Sequence, residues 1–287
     1  MDSLTKIQAK SQFVAGEVAL IGAGPGDAEL LTIKAMRFLQ QADVIIYDRL
    51  VSREIVNLTP ANCQRLYVGK AVHKQCVSQQ EINNTLQEKA KQGLKVVRLK
   101  GGDSFIFGRG SEEIDYLLEH NVSCHIIPGI TAASGATTYA GIPLTHRDVA
   151  YSCSFITGHF KHDGELDLPW HEYVNSKQTL VFYMGIGNAG IIESKLLEHG
   201  KSPDTPVAIV YRGTQNSQQV WRTTLAKINQ CIDDNNIKAP SLIVMGAVVD
   251  VLQQHQLSSK QPAYFLGKEA EHAKNRTSKI ASMKNYA

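Results

Sequence analysis

Two glycine-rich loops, each at the end of a short apolar run, restrict what this chain can fold into. The first, Gly22-Ala23-Gly24-Pro25-Gly26-Asp27, follows Val18–Ile21; the second, Gly101-Gly102-Asp103 continuing to Gly108-Arg109-Gly110, follows Val96–Lys100. Glycine lets a backbone turn tightly and approach a neighbour with no Cβ in the way. Further strand-like runs lie at Asp43–Tyr47, Arg65–Gly69 and His125–Ile127, and the stretches between carry helical signals. Ala28–Gln41 has apolar residues at helical spacing, with Asp27 as its N-cap. Ser78-Gln79-Gln80-Glu81 is a capping box for a helix ending at Gly93, and Ser111 caps another that runs to Asn121. Strands alternating with helices of this length predict parallel pairing through right-handed crossovers. In such an open α/β sheet, loops at the carboxyl ends of strands form a crevice for a small molecule.

After Ile142-Pro143 the pattern changes. Tyr151–Thr157, Gln178–Met184, Val207–Tyr211, Gln218–Thr224 and Ser241–Met245 read as strands, with helices over Gly187–Gly200 and Leu225–Asn235. The simplest organisation is an N-terminal extension (1–15), an α/β domain (16–130), a second α/β domain (131–252) and a tail (253–287). The tail is polar and basic, with six Lys/Arg against Glu269 and Glu271, and is expected to be poorly ordered. The net charge of +3 therefore belongs to the tail and leaves a near-neutral body, which argues against a general nucleic-acid binder. The five cysteines are scattered with no CxxC pair, as expected for reduced thiols in a cytoplasmic enzyme. No apolar stretch approaches the roughly 20 residues of a membrane span, and the first sixteen residues lack a signal-peptide core. His159 and His162 lie close together without acids or thiols at ligand spacing, so no metal is expected.

The first loop invites a dinucleotide reading, with Asp48 standing where a ribose-binding acid would fall. Two residues oppose it. Asp27 occupies the position the fingerprint gives to Gly or Ala, and a carboxylate there would repel a pyrophosphate. Pro25 removes an amide donor from the cradle. The predicted ligand lacks phosphate.

GAGPGD (Gly22–Asp27), YDRLV (Tyr47–Val51), VGK (Val68–Lys70), LKGGDSFIFGRG (Leu99–Gly110), PGITAASG (Pro128–Gly135), GIPLTHRD (Gly141–Asp148), TLVFYMG (Thr179–Gly185) and Arg212-Gly213-Thr214 together resemble the uroporphyrinogen-III C-methyltransferases of the tetrapyrrole methylase family. The resemblance covers residues 16–252. It implies a two-lobed α/β fold with the active site in the cleft between domains. It also implies transfer of two methyl groups from S-adenosyl-L-methionine to pyrrole carbons C2 and C7 of uroporphyrinogen III. The product would be precorrin-2, for sirohaem or cobalamin synthesis. A cytoplasmic homodimer is the implied state, with no nucleic-acid or membrane partner. Some relatives carry a preceding dehydrogenase/ferrochelatase module, for which sixteen residues ahead of the first strand leave no room.

The donor's sulfonium carries no phosphate, in keeping with Pro25 and Asp27. Residue by residue, the resemblance assigns the donor to Pro25, Gly101, Gly102, Asp103, Ile106, Thr131, Ala132, Met184 and Gly213. Met184 by itself reads equally as strand-end core. The acceptor carries acetates and propionates, so its cleft must be locally cationic; Arg49, Arg109, His146 and Arg147 fall in the matched motifs, and each alone would read as a surface group. Asp48 takes the role of proton acceptor and Lys70 that of proton donor. On its residues alone, Asp48 serves equally as a strand-end carboxylate capping the next turn. Ser104 stands where relatives typically have proline, which implies a less rigid second loop.

Overall fold

A computed structural model of the chain describes residues 12–69, 77–159 and 168–252. The first half builds a five-stranded, all-parallel sheet from β1 (Val18–Gly22), β2 (Val44–Tyr47), β3 (Gln64–Tyr67), β4 (Val96–Lys100) and β5 (Cys124–Ile127). Its order is β3-β2-β4-β1-β5, so the two strands that end in glycine loops, β1 and β4, are central neighbours. Alternation along the strands feeds two cores. Ala19, Ile21, Ile45, Val97 and Leu99 face α1 (Ile33–Leu39) and α2 (Arg53–Asn57). Val18, Val44, Ile46 and Val96 pack with residues of α3 (Gln79–Lys91) and α4 (Gly110–Glu119). Phe13, ahead of the first strand, stacks on Phe38 with ring centroids 4.9 Å apart.

The second half builds a mixed sheet from β6 (Ser152–Thr157), β7 (Gln178–Tyr183), β8 (Pro206–Tyr211), β9 (Gln219–Thr224) and β10 (Ser241–Met245), in the order β6-β7-β10-β8-β9. Only β6 and β7 pair in parallel; the other three pairings are antiparallel. One face packs on α6 (Ala189–Glu198) and α7 (Ile228–Asp234). The other packs on α5 (Ala132–Tyr139), whose Ala133 and Ala136 sit against Val181, Ala208 and Val244.

Several local expectations need correction. Ala28–Gln41 is not one helix: Asp27 caps a short 3-10 turn (Ala28–Leu30), and Thr32 starts α1 by accepting the Ala35 amide at 3.1 Å. Ser111 does not cap α4, because the helix begins one residue earlier, after Arg109 in the left-handed region at φ +56°. The capping box at Ser78 and Glu81 forms as read, with both reciprocal bonds present. The tail from 253, Cys76 and His162 lie outside the described residues.

Candidate active site

Because the first sheet is parallel, the loops after β1, β2, β4 and β5 all emerge at one edge. There the two glycine loops pair directly: the Gly24 amide donates to the Gly102 carbonyl at 3.1 Å, and the Gly102 amide donates to the Gly24 carbonyl at 2.7 Å. The third loop closes against them. A Cβ on Gly22 would meet the Gly129 nitrogen at 2.5 Å and the Gly102 oxygen at 2.8 Å. Gly22, Gly102 and Gly129 therefore bring three strand ends into main-chain contact, at a closeness that only glycine permits.

Asp103 braces this floor. Its two oxygens accept the Phe105 amide at 2.9 Å and the Gly129 amide at 3.0 Å, tying the second loop to the third. Asp27 acts similarly in the first loop. Its Oδ1 accepts the Glu29 amide at 2.8 Å, and its Oδ2 accepts the Tyr139 hydroxyl at 2.8 Å. The Glu29 amide after the first loop is thus met by the chain's own carboxylate, on the spot a pyrophosphate would need.

The second lobe closes over this edge, where the Asp27 amide donates to Thr214 Oγ1 at 3.1 Å. Within the second lobe the Tyr183 hydroxyl lies 2.6 Å from Thr131 Oγ1 and accepts the Ala133 amide at 2.9 Å. Gly213 lies so close to Ala136 that a Cβ would overlap it, and Gly135 is in the same relation to the Pro25 ring. Phe107 tilts against Tyr183, with centroids 5.0 Å apart. Burial pushes the Tyr183 phenol above its usual range, so it remains a neutral partner here.

The cleft also concentrates unusual backbone. Among the described residues, seven non-glycine residues have positive φ. Asn121 and Asn236 follow helix ends, where asparagine is tolerated, but Phe107, Arg109, Met184, Arg212 and Thr214 all lie in the loops that meet here. Such conformations cost of order 1–3 kcal/mol each and gather at functional sites.

The residues singled out in the sequence divide into three groups. Pro25, Gly101, Gly102, Asp103, Thr131 and Gly213 stand in these converging loops and Ala132 opens α5 beside them, with half-buried Ile106 and exposed Met184 adjacent. Arg49, Arg109 and Arg147 are exposed; Arg109 is forked onto Glu112 at 2.8 and 2.5 Å, and His146 lies in a turn bridged to Ala150. Lys70 lies outside the described residues, though Gly69 before it packs against the Arg49 backbone.

Asp48 follows β2 with one contact the sequence offered and one it did not. Its Oδ1 accepts the Leu50 amide at 2.9 Å, which is the turn-capping role, while Oδ2 lies 3.6 Å from Nη2 of Arg98. Arg98 and Lys100 alternate on β4 and are buried, and both meet Oε1 of fully buried Glu113 from α4, at 3.3 and 2.8 Å. Gln79 Nε2 donates to the same oxygen at 3.1 Å. Burial, then the neighbouring Arg98, pull the Lys100 ammonium below its ordinary range, against the opposing pull of Glu113. The signal was present in the sequence: two cations on the inward face of a five-residue strand are costly to bury and need partners. The reading of Val96–Lys100 as an apolar strand passed over them.

The chain matches the Tetrapyrrole (Corrin/Porphyrin) Methylases over residues 17–229. It is 49% identical to a siroheme synthase of Ruthia magnifica subsp. Calyptogena magnifica over 93% of this chain and 56% of that protein, so it spans about half that relative's length. The native uroporphyrin III C-methyl transferase of Thermus thermophilus superposes with a TM-score of 0.71 at 34% identity, covering 86% of this chain and 98% of the other. A second structure of that enzyme, complexed with S-adenyl homocysteine, gives 0.69 at 36% identity, covering 82% and 99%. With its glycine loops paired at the carboxyl edge of a parallel sheet and a second lobe closed over them, this chain belongs to the tetrapyrrole methylases, a family of methyltransferases.

Proposed function

We propose that this chain transfers two methyl groups from S-adenosyl-L-methionine to pyrrole carbons C2 and C7 of uroporphyrinogen III, giving precorrin-2. The observation that carries the reading is the crevice floor. It is made of main chain from Gly24, Gly102 and Gly129, and its flanking amides are already met by Asp27 and Asp103. Such a floor accepts a flat, phosphate-free ligand at close range and offers no cradle for a pyrophosphate.

On this reading Pro25, Gly101, Gly102, Asp103, Ile106, Thr131 and Ala132 line the donor's site from the first lobe and the adjoining helix. Met184 and Gly213 line it from the second. The bound donor supplies an electrophilic methyl carbon on a sulfonium. A carbon–carbon bond forms to the pyrrole, the carbon–sulfur bond breaks, and the ring loses a proton from a neighbouring bridging carbon. Asp48 accepts that proton, and its position at the sheet edge beside Gly101 supports the role: a Cβ on Gly101 would meet Leu50 Cβ at 2.6 Å, two residues on from Asp48. Lys70 takes the proton-donor role the resemblance gives it, and each transfer releases one proton net, by way of Asp48, to solvent. Arg49, His146 and Arg147 receive substrate carboxylates, and Arg109 does so by exchanging Glu112 for one. The packing of α5 on the second sheet supports a division at 130/131. The chain works as a cytoplasmic homodimer.

Anaerobic incubation with S-adenosyl-L-methionine and uroporphyrinogen III should give a dimethylated dihydro product. Asp48→Asn should slow its formation by about 10²–10⁴-fold, the usual worth of a general base, while donor binding survives. A folded chain that transfers no methyl group contradicts the proposal.

A further inference from the structure

We infer that Arg98 is a positioning residue for proton transfer, acting through Asp48 from beneath the cleft floor; this rests on the reading of Asp48 as proton acceptor. Of the four charged groups gathered here among the described residues, Asp48 alone opens to solvent, with 28% of its side chain exposed against 3% for Arg98, 6% for Lys100 and 0% for Glu113. Arg98 is therefore too deep to receive a substrate carboxylate, yet it faces Oδ2 of the carboxylate that does the chemistry.

Among the described residues two contacts hold the Asp48 carboxylate, a hydrogen bond from the Leu50 amide to Oδ1 and a 3.6 Å ion pair from Arg98 to Oδ2. Arg98 is itself immobilised. Its Nη1 donates to the carbonyls of Ile46 at 3.3 Å and Leu99 at 2.8 Å, and its Nε donates to Glu113 at 3.3 Å. The Ile46 carbonyl lies two residues before Asp48 on β2, so one guanidinium spans the strand and the carboxylate at its end. Glu113 anchors that guanidinium from α4, with Lys100 and Gln79 on the same oxygen. A planar fork makes these divergent bonds at once, and a lysine ammonium does not.

The placement is expensive as well as rigid. Val18, Val44, Ile46 and Val96 make the same sheet face apolar, and an apolar residue at position 98 would extend that core. Replacing buried ion networks by apolar side chains is often neutral or stabilising, so stability alone does not account for Arg98. Holding Asp48 in one orientation does, because a misplacement of about 1 Å costs on the order of 10²-fold in rate.

The test is a double-mutant cycle on the full chain with Arg98→Gln and Asp48→Asn, reading methyl transfer to uroporphyrinogen III, S-adenosylhomocysteine affinity and thermal melting. In the Asp48 background, Arg98→Gln should lower kcat about 10²-fold and leave donor affinity within about twofold. In the Asp48→Asn background it should change the residual rate by less than about twofold, because the group it orients is gone. Equal losses in the two backgrounds overturn the inference, and so does an Arg98→Gln variant as fast as wild type. Should Arg98→Gln not fold, Arg98→Lys carries the same comparison, with about a tenfold loss beside Asp48 and none beside asparagine. Full turnover by Asp48→Asn removes the proton-acceptor reading itself and this inference with it. A slow Asp48→Asn with an undiminished Arg98→Gln overturns the positioning role alone.

Discussion

Replacing Gly22 by alanine inserts one methyl group between three strand ends and tests whether their main-chain contact makes the crevice. The new Cβ would lie 2.5 Å from the Gly129 nitrogen, 2.7 Å from its Cα and 2.8 Å from the Gly102 oxygen. All three are backbone atoms, so no side chain can swing aside. Restoring ordinary contact near 3.4 Å requires the loops to part by about 0.9 Å in an interior packed too densely to absorb it. Overpacking of this kind costs about 1–3 kcal/mol, or roughly 2–12 °C in Tm for a domain of this size. A shift near 1 Å at the donor site should also cost about 10²-fold in kcat/KM. Melting curves, calorimetry with S-adenosylhomocysteine and initial methyl-transfer rates measure the three effects. Gly187→Ala is the control, since its Cβ would meet nothing within 4 Å among the described residues, and it should match wild type. A Gly22→Ala variant that melts and turns over like wild type refutes the reasoning.

Asp27→Ala should cost about 1–3 kcal/mol in thermal melts, since it removes both the cap on Glu29 and the acceptor for Tyr139 across the lobes; an unchanged melt contradicts the clasp. Ser104→Ala should leave stability unchanged or raise it by about 1 kcal/mol, because the Ser104 hydroxyl is buried with no hydrogen-bond partner among the described residues; a clear loss would reveal a partner. Burial raises the thiols of Cys124 and Cys153 from 9.0 to about 11, with Glu17 adding to the first. Both should resist alkylation at pH 8 in the folded chain and react as pH approaches 11. The raised values also stabilise the fold below pH 9, a contribution lost as pH climbs through 11; rapid labelling at pH 8 would contradict the burial.

The first sheet was legible because its strands are short, apolar and closed by turn residues, and the box at Ser78 and Glu81 announced α3 directly. Two helices were not. Arg53–Asn57 is too short to show a helical period. Ala132–Tyr139 is made of small residues and threonines with a glycine inside; its helix comes from packing on the second sheet, which no local pattern reports. The start of α4 was misplaced because Ser111 resembles a cap, while the chain turns instead through left-handed Arg109. At the site, the glycines and Asp48 stood out in the sequence, since loops after strands are local. Arg98 and Lys100 on an inward strand face called for buried partners, but that the partner is Glu113 was not legible, because hydrophobic periodicity discards charge as surface and says nothing of which acid lies opposite. The clasp between Asp27, Tyr139 and Thr214 spans 187 residues and depends on the lobes meeting.

The central claim is that the crevice between the lobes accepts a phosphate-free sulfonium donor. Titrating the chain in a calorimeter, first with S-adenosylhomocysteine and separately with NAD, tests it most directly. Saturable binding of the first and no heat of binding from the second are expected. Saturable NAD binding with no response to S-adenosylhomocysteine would contradict it.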